Sequence, residues 1–454
     1  MKKLTFLIAL LLFGTDLIMA QTTKGDVLIK NATVITITDG TLENTDVLIE
    51  DGKISRIGTS LRNRNDVTEI DATGKFVMPG IIDAHSHIAG TSINEGTSQV
   101  TAEVQMGDVV NPLDISIYRA LAGGVTSIHL LHGSANVIGG ESETLKLRYG
   151  VTDPQDMMFE GAPRTIKFAL GENPTRGGRA RGIQPQSRMG VEAMLRNSFK
   201  EAQIYKKEWD AYRANNSRRK VAPEYDRRME TLVDILEGEV LVHCHSYRAD
   251  EIYMLLNVFS DFGIEKLTFQ HANEAYKVAP ELAEFGAGAS VFSDWWAYKL
   301  EVYYSTAYNA AILTNNGVTT SINSDSGELI RHLFHEAAKS QKYGGLSDEE
   351  ALALITLNPA KQLGVDDRVG SIEEGKDGDI AIFEGHPLSS YAMPVMTFVD
   401  GVKYFDRETD AKDQRLSVDP EDTIEQVHIF DADEQHKCMQ DAEIVNLYEF
   451  LNNK

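Results

Sequence analysis

Two histidines one residue apart, His85-Ser86-His87, stand directly behind an apolar run, Ile81-Ile82-Asp83-Ala84. Alternate residues of an extended strand share a side, so His85 and His87 face one way. Two imidazoles converging at a strand end can grip one divalent ion. Ligand-type residues recur behind later apolar runs. His243 and His245 follow Val240-Leu241-Val242, His271 follows Leu267-Thr268-Phe269-Gln270, and Asp325 follows Thr320-Ser321-Ile322. Each has an ordinary reading alone: a strand-end histidine satisfies a buried hydrogen bond, and Asp325 caps a helix. Their recurrence at the ends of successive strands favours one shared cation site.

Other residues carry weaker signals. Lys167 and Glu172 stand at and just beyond another apolar run, where the bland readings are an interior ion pair and a hydrogen bond to the Asn173-Pro174 turn. Arg176, Arg179 and Arg181 occupy a Gly-rich stretch; their guanidinium forks suit a carboxylate, although a solvated loop is the simpler reading. His132, Tyr247 and Arg248 follow strand ends and are candidate substrate contacts. Ser293-Asp294-Trp295-Trp296 could wall a pocket, Trp295 foremost, or cap a helix.

These residues need a frame that brings strand ends together. Eight short apolar runs, 81–84, 125–131, 144–148, 165–170, 240–243, 267–270, 290–292 and 319–322, alternate with helical stretches around 113–123, 189–237, 278–286, 305–314 and 326–341. Runs that are apolar on both faces read as buried parallel strands. The alternation predicts a (β/α)8 TIM barrel over 77–370, whose active site belongs at the C-terminal strand ends. A doubly wound open sheet is the alternative. Val-, Ile- and Thr-rich runs in 21–76, with Asp51-Gly52 as a hairpin turn, and short strands in 371–406 predict a small discontinuous β-sandwich domain formed by the two ends of the chain. A highly charged segment, 198–228, reads as a solvated helical face or insertion, and 407–454 as an acidic tail.

The chain has 454 residues and a net charge of −24, which argues against nucleic acid as a partner. Lys2 and Lys3, an apolar core and Ala20 before Gln21 make 1–20 a signal peptide, so the protein is expected to be exported, periplasmic or extracellular, without a stable membrane anchor. The two cysteines, Cys244 and Cys438, read as free thiols. A homo-oligomer is compatible with these features.

The constellation resembles the amidohydrolase superfamily, in its imidazolonepropionase and prolidase-like branch. The matching pieces span roughly 26–405: Val77-Met-Pro-Gly-Ile-Ile-Asp-Ala-His-Ser-His87, His243, His271, Asn323-Ser-Asp325, Thr356-Leu-Asn-Pro-Ala-Lys-Gln-Leu-Gly364 and the Gly-Lys-Asp-Gly-Asp run ending at Asp379. The resemblance implies a hydrolase using one or two divalent metal ions, zinc foremost, on a small molecule or short peptide. His85, His87 and Asp325 would hold the first ion, and His243 and His271 a second or the substrate. His245 is the alternative ligand if its strand runs longer. Lys167, carboxylated, or Glu172 would bridge the ions. Asp325 would take a proton from the attacking water and pass it to the leaving nitrogen, with His271 assisting. A dipeptide or amino-acid amide is the first substrate expectation, a cyclic amide the second and ring deamination the third. A catalytically silent binding barrel is the non-enzymatic alternative.

Overall fold

The computed structural model describes residues 26–62, 67–217, 219–296 and 299–410. Residues 1–20, expected to be a signal peptide, and most of the acidic tail, with Cys438, lie outside them. Two eight-stranded sheets organise the chain.

The first sheet is made from both ends of the described chain. Its strands are β1 (Val27–Ile35), β2 (Thr41–Glu50), β3 (Lys53–Gly58), β4 (Thr68–Asp71) and β5 (Lys75–Pro79). After a second set of strands, β6 to β13, come β14 (Ile380–Glu384), β15 (Met393–Val399) and β16 (Val402–Asp406). Antiparallel pairing of β14 with β5 joins the two ends. Asp51 and Gly52, both at positive φ (53° and 76°), turn β2 into β3, as expected of a tight hairpin. The pairing links these strands into a single sheet and does not itself divide them into the two layers of a sandwich.

The second set comprises β6 (Ile81–Ser86), β7 (Val125–Leu130), β8 (Ile138–Lys146), β9 (Arg164–Ala169), β10 (Val240–Ser246), β11 (Leu267–His271), β12 (Gly288–Val291) and β13 (Thr320–Ile322). Neighbours in space are neighbours in sequence from β6 to β13, the order of a barrel, with no reversal of the kind a doubly wound sheet requires. The two ends of the sheet meet at the mouth, where the Asp325 N–H donates to the His85 carbonyl at 3.1 Å. Gly80 lets β6 start close against β7, since a Cβ there would lie 2.1 Å from Thr126 Oγ1.

One strand departs from the expected pattern. β8 begins earlier than the run at 144–148 and is antiparallel to both β7 and β9. Only residues 131–137 link it to β7. A parallel return needs a crossover of about a dozen residues or more, so the chain can only reverse. The 189–237 stretch divides into helices Arg188–Ala214 and Arg227–Leu236. The Gly-rich stretch expected to be a loop is the helix Glu172–Arg181, closed by Gly182 in the left-handed conformation. No helix among the described residues is long and apolar enough to cross a membrane.

Candidate metal centre and active site

His85 and His87 leave the end of β6 with their Nε2 atoms 3.3 Å apart. Asp325, just beyond β13, brings Oδ1 to 3.5 Å from His85 Nε2 and 3.2 Å from His87 Nε2. His271, at the end of β11, places Nε2 3.5 Å from Asp325 Oδ2. Lys167 reaches up from β9 to set Nζ 3.4 Å from His85 Nε2. One ligand atom from each of His85, His87 and Asp325 lies within 4.8 Å of the others, and all three residues are buried.

Backbone strain helps assemble the cluster. His271 and Asp325 have φ of 67° and 44°, a region that non-glycine residues seldom adopt and that concentrates at functional sites. The kink at His271 breaks strand alternation. Gln270 can then bond inward to His85 while the adjacent His271 also turns to the cluster. Asp83, two residues before His85 and fully buried, accepts from Ser324 N (3.0 Å), Ser324 Oγ (2.5 Å) and His85 N (3.2 Å). It thereby fixes the turn that carries Asp325. Its parity with His85 and His87 was visible in the sequence, but its partner Ser324 was not.

The electrostatics suit a cation. Burial, reinforced by Lys167, holds His85 well below its usual range. Burial also lowers His271 to about 3 against the pull of Asp325. Imidazoles that stay neutral are the form that ligates metal. Burial alone would raise the Asp325 carboxyl, but the neighbouring His271 and His87 imidazoles hold it below the ordinary carboxylate range. Both Asp325 oxygens and both His271 nitrogens are buried without a hydrogen-bond partner. Such groups are costly unless something else satisfies them, and a divalent ion fits this donor set.

The remaining expected site residues separate. β10 runs to Ser246, longer than the 240–243 run suggested, and carries both His243 and His245 inward. His245 sits at the mouth, its ring 4.9 Å from that of His271 and 4.5 Å from that of Tyr247. His243 lies deeper, with its ring 4.3 Å from His129 and its Nδ1 3.0 Å from the Gln270 amide nitrogen. With the strand running longer, His245, the alternative ligand, is the one that lies beside His271, and His243 lies against Gln270 and His129. Glu172 begins its helix and pairs with Lys299 at 3.2 Å. That contact engages it away from the cluster, where Lys167 Nζ lies against His85. His132 spends both nitrogens on backbone, with Nδ1 donating to Gly133 O and Nε2 accepting from Glu95 N, each at 2.8 Å. It braces a loop instead of offering a substrate contact.

Tyr247 stacks on His271 at 5.6 Å, and Phe292 stacks on the same ring at 4.7 Å. Trp295 continues the stack on Phe292 at 4.7 Å. Lys299, not foreseen, rests its ammonium 4.1 Å from the Tyr247 ring centroid. Nothing in its local sequence marked it. Beyond lies an opening of about 710 Å³ lined in part by Glu172, Arg176, Arg179, Arg188, Arg248 and Glu301. Arg248 is half-buried and forks onto Asp250 at 2.9 Å, so it is a rim residue. Arg181 lines a separate, smaller cavity of about 190 Å³ that Arg176 also borders.

The chain is similar to known proteins to different extents. A model described as the amidohydrolase family matches residues 301–404. Amidohydrolase tasK of Hapsidospora irregularis is 33% identical over 393 residues, covering 80% of this chain; the chain spans 40% of that relative's length. An imidazolonepropionase of Thermoplasma volcanium is 24% identical over 368 residues, 76% of this chain and 84% of that one. The crystal structure of an amidohydrolase from Thermotoga maritima superposes with a TM-score of 0.78 at 34% identity, covering 84% of this chain and 100% of that chain.

Proposed function

Because the chain belongs to the amidohydrolase family, we propose that it hydrolyses an amide-type C–N bond of a small molecule, with a dipeptide or amino-acid amide as the first substrate class. The observation that carries this reading is the convergence of His85, His87 and Asp325 ligand atoms within 4.8 Å, with Lys167 Nζ against the same imidazole. His85, His87 and Asp325 would hold one divalent ion. His245 and His271 would hold a second, with Lys167, carboxylated, between the two. Zinc suits the imidazole-rich set. Such an ion supplies a Lewis acid for the amide carbonyl and brings the pKa of a water towards roughly neutral.

The chain's own groups do the rest. Asp325, held ionised, accepts a proton at a carboxylate oxygen and delivers it to the leaving nitrogen. Asp83 and the Ser324 turn keep that carboxylate aimed. Tyr247, Phe292 and Trp295 form an aromatic wall that excludes water and favours an apolar substituent. Arg176 at the opening offers a guanidinium to a substrate carboxylate.

Cyclic-amide hydrolysis is the second reading, supported by the likeness to an imidazolonepropionase over most of both chains. Zinc-loaded protein is to be assayed against matched panels of dipeptides, amino-acid amides and cyclic amides. Turnover confined to the linear panel supports the first reading, and turnover confined to the cyclic panel replaces it. Protein that binds less than about a tenth of an equivalent of zinc, manganese or iron and turns over neither panel leaves the silent-barrel alternative.

A further inference from the structure

Gln270 sits at the floor of the site with a different histidine on each end of its amide. His85 Nδ1 lies 3.1 Å from Gln270 Oε1, and His243 Nδ1 lies 3.0 Å from Gln270 Nε2. All three side chains are fully buried. The carbonyl end of an amide only accepts, and the nitrogen end only donates. So His85 Nδ1 carries its proton and donates, while His243 Nδ1 is bare and accepts. A neutral imidazole has one proton, so His85 Nε2 is a free lone pair and His243 Nε2 is protonated. Turning the amide over would exchange the two assignments together. One amide therefore leaves a bare Nε2 on only one of these two histidines.

The surroundings choose which. His85 Nε2 faces His87 Nε2, the Lys167 ammonium and Asp325 Oδ1, at 3.3, 3.4 and 3.5 Å, and the ammonium can only donate to it. His243 faces away from that cluster, its ring against His129, whose Nε2 is 2.8 Å from Thr165 Oγ1. We propose that Gln270 is a positioning residue that sets the tautomers of His85 and His243 in opposition, so that His85 alone offers its Nε2 to a cation and His243 serves as the anchor of the amide. Outer partners of this kind fix ligand orientation and typically change metal affinity roughly 10- to 100-fold. The inference rests on the metal-site reading above, but its primary readout needs neither metal nor turnover.

The test uses the full-length chain, stripped of metal by a chelator and labelled with ¹⁵N-histidine, with His85 and His243 signals assigned from His85→Asn and His243→Asn spectra. The expected result is an Nδ1-protonated His85 and an Nε2-protonated His243. In Gln270→Glu, the carboxylate accepts at both ends, so His243 moves to the Nδ1-protonated tautomer while His85 stays. In Gln270→Met, zinc affinity falls roughly 10- to 100-fold while the thermal midpoint of the metal-free chain stays near wild type. Finding the same tautomer on both histidines of the wild type, or an unmoved His243 in Gln270→Glu, overturns the proposal. So does loss of an equivalent of bound zinc in a folded His243→Asn chain whose His245→Asn counterpart retains it. Should the tautomers oppose as stated in a protein that binds no metal, the Gln270 assignment survives and the hydrolase reading fails alone.

Discussion

At the residue scale, the centre depends on carboxylates doing different work at similar depth. Asp325 stays ionised among imidazoles, whereas burial pushes Asp83 up to about 7 despite its bonds from Ser324. Replacing Asp325 with Asn keeps the shape and removes the proton acceptor. Steady-state turnover should fall about 10²- to 10⁴-fold, and a near-normal rate would remove Asp325 from its role. Asp83→Ala should act indirectly, by releasing the Ser324 turn. A misplacement of about 1 Å can cost on the order of 10²-fold, so kcat should drop by roughly that factor while KM changes less. An unchanged kcat in the folded variant contradicts the positioning role.

At the element scale, β8 is the unusual member of the barrel. Its reversal places Glu143 against acidic neighbours, and burial, followed by Glu141 and Asp108, raises that carboxyl from 4.5 to about 7. A carboxyl whose folded pKa exceeds its unfolded one costs stability as pH rises from about 4.5 through about 7. Glu143→Gln should therefore raise the thermal midpoint at pH 8 and leave it nearly unchanged at pH 4. An equal shift at both values would point to packing in place of charge. The same strand ends in Lys146, fully buried, with Nζ 2.7 Å from Asp377, 3.1 Å from Asp379 and 2.5 Å from Asp400.

At the scale of the whole molecule, that lysine pins the barrel to the sheet formed by the chain ends. Lys146→Met leaves buried Asp379 without its ion partner, while Asp377 keeps Lys53 and Arg368 and Asp400 keeps Arg148; breaking a buried pair costs about 3–5 kcal/mol, and the urea midpoint should fall accordingly. A midpoint within about 0.5 kcal/mol of wild type would show that the pin contributes little. Metal is coupled to the same equilibrium. At a free ion concentration of about 100 times Kd, binding should add about 2.7 kcal/mol, seen as a midpoint that falls on chelation and returns with zinc. A midpoint indifferent to both treatments would argue against a site formed only in the folded state. Export is a separate proposal from 1–20: protein recovered outside the cytoplasm should begin at Gln21, and an intact Met1 there would retire it.

Local chemistry makes much of this legible in the sequence. Apolar runs closed by His85, His87, His271 and Asp325 already implied a barrel with a cation at its mouth, because strand alternation and helix periodicity are short-range properties written in neighbouring residues. Asp51-Gly52 likewise specified its hairpin. Three features needed the assembled molecule. β8 runs backwards because its link is short, which matters only once its neighbours are in place. His245 and not His243 lies beside His271, because β10 extends to Ser246 and Gln270 engages His243 from another strand. Glu172 is drawn off by Lys299, a partner distant in the chain. Residue type and spacing determine which groups can do chemistry; which groups meet is set by contacts between strands far apart in sequence, and by kinks such as that at His271, which no periodic pattern encodes.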